Sequence, residues 1–252
     1  MLSEQVENNN KEALSEELLP NECVKENKPE ILVWKRALLL TIGNAFTLSV
    51  ISLILSLAFK STAINNDAAL TFITYSILFV GLMAVILFDV PKFLSQFKNW
   101  KAYVMGAGIG IGIIVFDIIY FNFVNLFYQS SVGGNETGIR SIIALYPVAS
   151  ILIFGFIGPA CEELTYRVGL FGLCKKLNIV FAYIITGLVF GLIHFDFQSA
   201  DLINELICLP TYIVPGVLFA LCYDKFGFAC SYVAHVTNNL WAVISQIIVL
   251  NS

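Results

Sequence analysis

Long apolar runs separated by short polar turns fill the chain from about residue 33 onward. Most runs have about twenty residues, which is the length that a helix needs to cross the apolar core of a bilayer. The runs lie at 33–59, 69–89, 102–128, 141–174, 179–198, 203–223 and 228–250. The pattern therefore predicts an all-α fold, a polytopic transmembrane helical bundle with about seven spans.

The fourth run is too long for a single upright crossing, and it contains Pro147 and Pro159. Proline lacks a backbone N–H donor, so it kinks or ends a helix. The run at 141–174 is therefore either one tilted, kinked helix or two shorter helices. The second arrangement brings the number of spans to about eight.

The composition agrees with a membrane protein. Hydrophobic residues make up 58% of the chain and charged residues 13%, whereas about 25% of the residues in a typical soluble domain are charged. Many of the charges lie in residues 1–31, which we expect to form a flexible cytoplasmic tail. The acidic balance comes from this tail and gives no reason to expect a nucleic-acid partner.

Basic residues in short loops predict the orientation, because they favour the cytoplasmic side of the membrane. Beyond the tail, the basic loops contain Lys92, Lys98, Lys101, Lys175, Lys176 and Lys225. The predicted spans place all of these loops on one side and leave Lys60 and Arg140 on the other. We therefore expect a cytoplasmic N-terminus. The abundance of Lys, Asn and Ile favours a bacterial cell membrane.

Small residues inside the predicted spans indicate close helix packing. The third span contains Gly106, Gly108, Gly110 and Gly112, a pattern typical of tight contacts between membrane helices. The chain has six cysteines, none of them in a C-x-x-C pair. We interpret them as packing residues rather than as a zinc or disulfide framework.

Ionisable groups are costly in the bilayer core, so each one inside a predicted span suggests a function. The predicted spans contain Asp117, Glu162, Glu163, Arg167, His194 and His235. The protein has two histidines, and both belong to this set. The spacing of these residues therefore carries the functional argument.

The first cluster is the sequence EELTYR at 162–167. Glu163 and Arg167 share a helix face, whereas Glu162 points about 100° away around the same helix. Two adjacent carboxylates in a low dielectric do not both ionise readily, so one can act as an acid while the other accepts a proton. The alternative is a pair of interfacial glutamates at a helix end near Pro159.

Two further clusters contain the histidines. Phe190 and His194 share a helix face in FGLIH, so the phenyl ring can form a wall beside the imidazole. His235 and Asn239 share a face in HVTNN, and an imidazole and an amide can together donate hydrogen bonds to a developing oxyanion. The alternative for this pair is a structural hydrogen bond between helices.

The ordered set EExxxR, FxxxH and HxxxN on separate apolar spans resembles the CPBP family, the CAAX proteases and bacteriocin-processing enzymes that are also called Abi. The resemblance covers roughly residues 140–245. It implies an intramembrane endopeptidase, with N-terminal transmembrane helices in 32–139 and a catalytic transmembrane core in 140–250.

The resemblance also implies roles for the matching residues. Glu162 is expected to act as the general base that activates water, assisted by His194. His235 and Asn239 are expected to stabilise the tetrahedral oxyanion. Supporting roles fall to Glu163, Arg167 and Phe190.

We expect no obligatory metal, since the helical zinc signature H-E-x-x-H is absent from the sequence. The alternative is a divalent metal such as zinc held by Glu162, His194 and His235. The expected partners are the lipid bilayer and a membrane-associated peptide or protein substrate. The roles that the resemblance implies are CAAX-type processing, bacteriocin processing and self-immunity.

Two other functions compete with a protease. A proton- or cation-coupled transporter would use the buried carboxylates and histidines as an ion path. It explains Asp117, which belongs to none of the three motifs, better than a protease does. A non-catalytic scaffold that binds another membrane protein is the second alternative, although loss of motif residues would be expected there and the motifs are complete.

Overall fold

The computed structural model describes residues 34–60 and 67–252. This part of the chain is helical and contains no strand, so the predicted all-α polytopic bundle is confirmed. The predicted cytoplasmic tail, residues 1–31, lies outside the described residues.

Ten helices, numbered here in chain order, make up the described part of the fold. Their bounds are Trp34–Ala58 (α1), Asp67–Val85 (α2), Val90–Gln96 (α3), Trp100–Val124 (α4), Gly134–Leu145 (α5), Pro147–Lys175 (α6), Ile179–Leu192 (α7), Leu202–Cys208 (α8), Pro210–Phe226 (α9) and Phe228–Leu250 (α10).

Within residues 34–60 and 67–252, six helical stretches are long and apolar enough to cross a membrane. They are α1, α2, α4, α6, the pair α8 and α9 taken together, and α10. Helix α7 is also apolar but has only 14 residues, about 21 Å at 1.5 Å per residue. Large apolar side chains such as Leu53, Phe123 and Val249 are exposed on the bundle, as expected for a surface that faces lipid.

The structure decides between the two arrangements of the fourth run and corrects the fifth span. The fourth run divides at Tyr146 and Pro147, so Gly134–Leu145 is a separate helix, whereas Pro159 lies inside the continuous helix α6. The fifth span was predicted to reach residue 198, but α7 ends at Leu192 and His194 lies in the turn that follows. The catalytic candidate His194 therefore lies beyond the end of its helix.

Helices α4 and α10 pack together along much of their length. A methyl group added to Gly106 would come within 2.7 Å of the Cys230 carbonyl oxygen, and one added to Gly110 within 2.6 Å of the Ala234 carbonyl oxygen. Gly108 and Gly112 face open space instead. The packing prediction is therefore right for two of the four glycines and wrong for the other two.

The cysteine prediction also agrees with the structure. The five cysteines of the described region are buried and form no disulfide with one another. They are Cys161, Cys174, Cys208, Cys222 and Cys230, whereas Cys23 lies outside the described residues. Burial of these thiols fits the interpretation as small apolar packing residues.

Ion pairs link the helix ends that carry the basic loops. Arg36 at the start of α1 pairs with Asp89 after α2. Lys175 at the end of α6 pairs with Asp224 near the end of α9, and Lys225 lies 3.2 Å from the same carboxylate. Each of these two groups of ion pairs therefore brings basic residues from different helices together at a helix end. Which face of the membrane these ends occupy stays a prediction.

Candidate active site

The first motif lies on an irregular part of α6. Residues Glu163–Phe171 form a π-helical segment that follows the turn Gly158–Glu162. Such segments are rare and occur often at functional sites, because they change the direction in which side chains project. The two neighbouring glutamates consequently lie in different surroundings.

Glu163 is fully buried in a closed polar network. Its Oε1 lies 3.3 Å from Arg167 Nη2 and 2.8 Å from His235 Nδ1, and its Oε2 contacts the Ser231 hydroxyl. The predicted pairing of Glu163 with Arg167 is present. The bond to His235 was not predicted, because nothing in the sequence gives the relative rotation of α6 and α10.

Arg167 is also fully buried, and its charge is balanced by aromatic rings as well as by Glu163. The guanidinium carbon lies 4.7 Å from the centroid of the Phe190 ring and 5.4 Å from that of Phe219. A cation over a ring face is attracted by the ring quadrupole, more strongly when both are removed from water. Arg167 and Glu163 therefore form a buried support behind the other motif residues.

Glu162 faces a cavity instead of this network. Its side chain is 15% exposed, and its Oε2 lies 3.6 Å from His235 Nε2. Among the described residues this oxygen has no hydrogen-bond partner. Glu162 is thus the carboxylate of the pair that borders the cavity and is not saturated by protein hydrogen bonds.

His194 is held in place by contacts on both sides of its ring. Its Nδ1 lies 2.7 Å from the Phe190 carbonyl oxygen, and the Tyr212 ring stacks on it at 4.6 Å with planes only 10° apart. A carbonyl can only accept a hydrogen bond, so Nδ1 carries a proton. In the neutral imidazole, Nε2 is then an acceptor.

His235 lies between the two glutamates and stacks on Phe219, with ring centroids 4.4 Å apart. Its Nδ1 hydrogen bonds the Glu163 carboxylate, which orients the ring and leaves Nε2 on the side of Glu162. Asn239, one turn further along α10, donates from Nδ2 to the Phe154 carbonyl oxygen at 3.0 Å. One amide hydrogen of Asn239 remains for another acceptor.

One cavity of about 330 Å³ connects the motif residues. Its wall includes five of the sequence-predicted residues, namely Glu162, Phe190, His194, His235 and Asn239. Glu163 and Arg167 do not line it. The three motifs therefore converge on one space although they lie on different helices and are separated by up to seventy-seven positions in the chain.

The structure adds residues that the motifs do not contain. Tyr212 and Phe219 stack on the two histidines, and Ser231 contacts Glu163. Ser231 precedes His235 by four residues on the same helix, and this spacing could have identified it. Asp117 also lines the cavity. Nothing in the sequence of its span indicates that it lies close to the three motifs.

Hydrogen bonds from α8 hold the loops at the mouth of the cavity. The buried Glu205 accepts from the backbone N–H groups of Gly134 at 2.7 Å and Asp196 at 3.2 Å. Asp201 accepts from the Asn204 N–H at 2.9 Å and from the Tyr128 hydroxyl at 3.0 Å, and these bonds hold the pKa of Asp201 below its ordinary value. The loop after His194 and the start of α5 are thereby fixed to one helix.

The candidate metal ligands Glu162, His194 and His235 all line the cavity. In the described part of the chain, no group of three His, Cys, Asp or Glu side chains is arranged to hold a metal ion. Nδ1 of His194 and Nδ1 of His235 are both engaged by hydrogen bonds, which leaves Nε2 of each ring as the remaining donor atom. With the Glu162 carboxylate, these two Nε2 atoms are the donors that a metal ion would use.

Comparison with known proteins places the three motifs within one matched segment. Residues 144–241 match the model of a family described as type II CAAX prenyl endopeptidase Rce1-like. The "Putative membrane peptidase YdiL" of Bacillus subtilis (strain 168) is 28% identical over 187 residues, which cover 67% of this chain and 69% of that protein.

An "Uncharacterized protein" of Mycoplasma capricolum subsp. capricolum is 31% identical over 103 residues, 40% of this chain and 28% of that protein. No solved structure matches the chain. The resemblance predicted from the motifs is confirmed: in its C-terminal helices this integral membrane protein carries the sequence pattern of the Rce1-like type II CAAX prenyl endopeptidases.

Proposed function

We propose that this protein is an intramembrane endopeptidase that hydrolyses a peptide bond of a membrane-associated peptide or protein. The observation that carries the proposal is the single cavity lined by Glu162, His194, His235 and Asn239. A base and hydrogen-bond donors around one space are the groups that hydrolysis of an amide requires.

Glu162 and His194 activate water. The Glu162 carboxylate accepts a proton from a water molecule while the water oxygen attacks the carbonyl carbon of the substrate. Neutral His194, with its proton on Nδ1, offers Nε2 as an acceptor for the second water hydrogen. The free Oε2 of Glu162 supports this assignment over Glu163, whose two oxygens are already engaged.

His235 and Asn239 stabilise the oxyanion that forms when the carbonyl electron pair moves to oxygen. Because Nδ1 of His235 donates to Glu163, Nε2 can donate only when the ring is an imidazolium. Glu163 supplies the negative charge beside that cation, and Arg167 keeps Glu163 ionised in turn. The remaining amide hydrogen of Asn239 is the second donor.

Collapse of the tetrahedral intermediate breaks the carbon–nitrogen bond. The proton held by Glu162 passes to the leaving amine, so Glu162 serves first as base and then as acid. No step of this scheme passes through a metal ion. A metal held by Glu162, His194 and His235 remains the competing arrangement that the experiment below separates.

The proposed catalytic groups all lie in residues 140–250, and earlier helices complete the wall of the cavity. Tyr75 of α2 and Ile114 of α4 line it. We propose that helices in 32–139 shape the substrate site. CAAX-type processing, bacteriocin processing and self-immunity are the roles that this chemistry would serve.

The test uses the purified full-length protein in detergent and a panel of short peptides that includes a farnesylated CAAX peptide. Mass spectrometry of the products identifies cleavage, and Glu162→Gln provides the blank. Cleavage by the wild type alone, unchanged by a strong chelator, is the expected result.

Three other outcomes would revise the proposal. Loss of cleavage with chelator and recovery with zinc would make the glutamate and histidines metal ligands. Equal cleavage by wild type and Glu162→Gln would refute the assignment of the base, and no cleavage of any peptide would favour the scaffold.

A further inference from the structure

Asp117 on α4 is an ionisable residue of the cavity wall that has no place in the catalytic scheme. It lines the same cavity as Glu162 and His194. Its Oδ1 is buried and accepts no hydrogen bond from any described residue. A carboxylate inside a membrane span is costly unless a partner or a ligand compensates it, and this one lacks a protein partner at that oxygen.

The packing of α4 on α10 gives the position of Asp117 relative to the catalytic residues. Gly106 lies against Cys230 and Gly110 against Ala234. The two helices therefore run in the same direction, and four residues on one correspond to four residues on the other. Asp117 follows Gly110 by two helical turns, which places it near the level of Trp241, another wall residue. This level is roughly 10 Å beyond His235 along the helix axis, at about 1.5 Å per residue.

An extended peptide advances about 3.3 Å per residue, so roughly three residues separate the two levels. If a peptide runs along this axis with its scissile bond beside Glu162, the residue about three positions from that bond lies beside Asp117. The other charged residues on this part of the wall are Glu136 and Arg140, and they pair with each other at 2.9 Å. The group on this part of the wall that lacks a hydrogen-bond partner at a buried oxygen is therefore the Asp117 carboxyl.

We infer that Asp117 binds a positively charged group of the substrate, a lysine or arginine side chain or a terminal amine, about three residues from the scissile bond. This inference rests on the proposed endopeptidase function and names a specificity determinant for it. Asp117 touches the substrate away from the reacting atoms, so it selects peptides rather than activating water.

The test measures binding and cleavage separately. Fluorescent apolar peptides carry one lysine at successive positions, and norleucine replaces lysine in a matched set. Binding is followed by anisotropy on full-length Glu162→Gln, with and without Asp117→Asn. We expect lysine at one position to bind about tenfold more tightly than norleucine, the range of a partly desolvated charge pair, and Asp117→Asn to abolish that preference.

Two controls show that the effect is specific. Norleucine peptides should bind Glu162→Gln equally with and without Asp117→Asn, which demonstrates an intact fold. Asp224→Asn removes the same charge at the end of the bundle that carries the basic loops, outside the cavity wall, and it should leave the preference for lysine unchanged.

The inference would be overturned if the protein preferred lysine over norleucine equally with and without Asp117→Asn. It would also be overturned if Asp117→Asn weakened the binding of lysine and norleucine peptides equally, or if no peptide bound. Cleavage data separate this inference from the proposed function. Binding that depends on Asp117 without any cleavage by the wild type would refute the endopeptidase and keep the cation site. Cleavage by the wild type without any preference for lysine peptides would support the endopeptidase and refute the cation site at Asp117.

Discussion

Two adjacent glutamates illustrate what a sequence can and cannot determine at the scale of single residues. The four-residue spacing predicts that Glu163 and Arg167 share a helix face, and the structure has them 3.3 Å apart. The bond from His235 to Glu163 joins residues on different helices. It depends on the rotation of α6 against α10, which no local pattern encodes.

The buried ion pair leads to a prediction about stability. Arg167→Met leaves the Glu163 carboxylate buried without its cation, and we expect the free energy of unfolding to fall by about 3–5 kcal/mol. Thermal unfolding in detergent measures the change. The double variant Glu163→Gln/Arg167→Met removes both charges and should recover part of the loss; equal destabilisation of the single and double variants would contradict an ion-pair role.

At the scale of helices, the sequence predicts which segments are apolar better than where they end. The apolar run at 179–198 continues past Leu192, yet α7 ends there, because hydropathy does not report the turn at Ile193 and His194. Pro147 does mark a real boundary, whereas Pro159 lies within α6. The alternating glycines of α4 divide into two that contact α10 and two that do not.

These glycines provide a matched pair of substitutions. Gly110→Ala drives a methyl group into the Ala234 carbonyl, and overpacking of this kind costs about 1–3 kcal/mol. Gly112→Ala points into open space and should leave stability unchanged or raise it by up to about 1 kcal/mol, since Ala favours a helix more than Gly does. Thermal unfolding of both variants in the same detergent tests the α4–α10 contact, and similar losses for the two would argue against it.

At the scale of the whole molecule, the sequence predicts the bundle and its motifs but not the shape of the cavity. The basic loops indicate one common end, and ion pairs to Asp89 and Asp224 lie at the corresponding helix ends. The cavity draws its wall from α2 and from every helix from α4 to α10. Asp117 enters the site only through this assembly, since it lies far from the motifs in the chain.

The most direct test of the central claim compares the cleavage rate of wild type and Glu162→Gln on one cleaved peptide, with thermal unfolding measured on the same samples. A general base contributes about 10²–10⁴-fold to the rate. We therefore predict that Glu162→Gln lowers the cleavage rate by at least about a hundredfold and leaves thermal unfolding unchanged. A Glu162→Gln protein that is equally stable and keeps most of the wild-type rate would contradict the account.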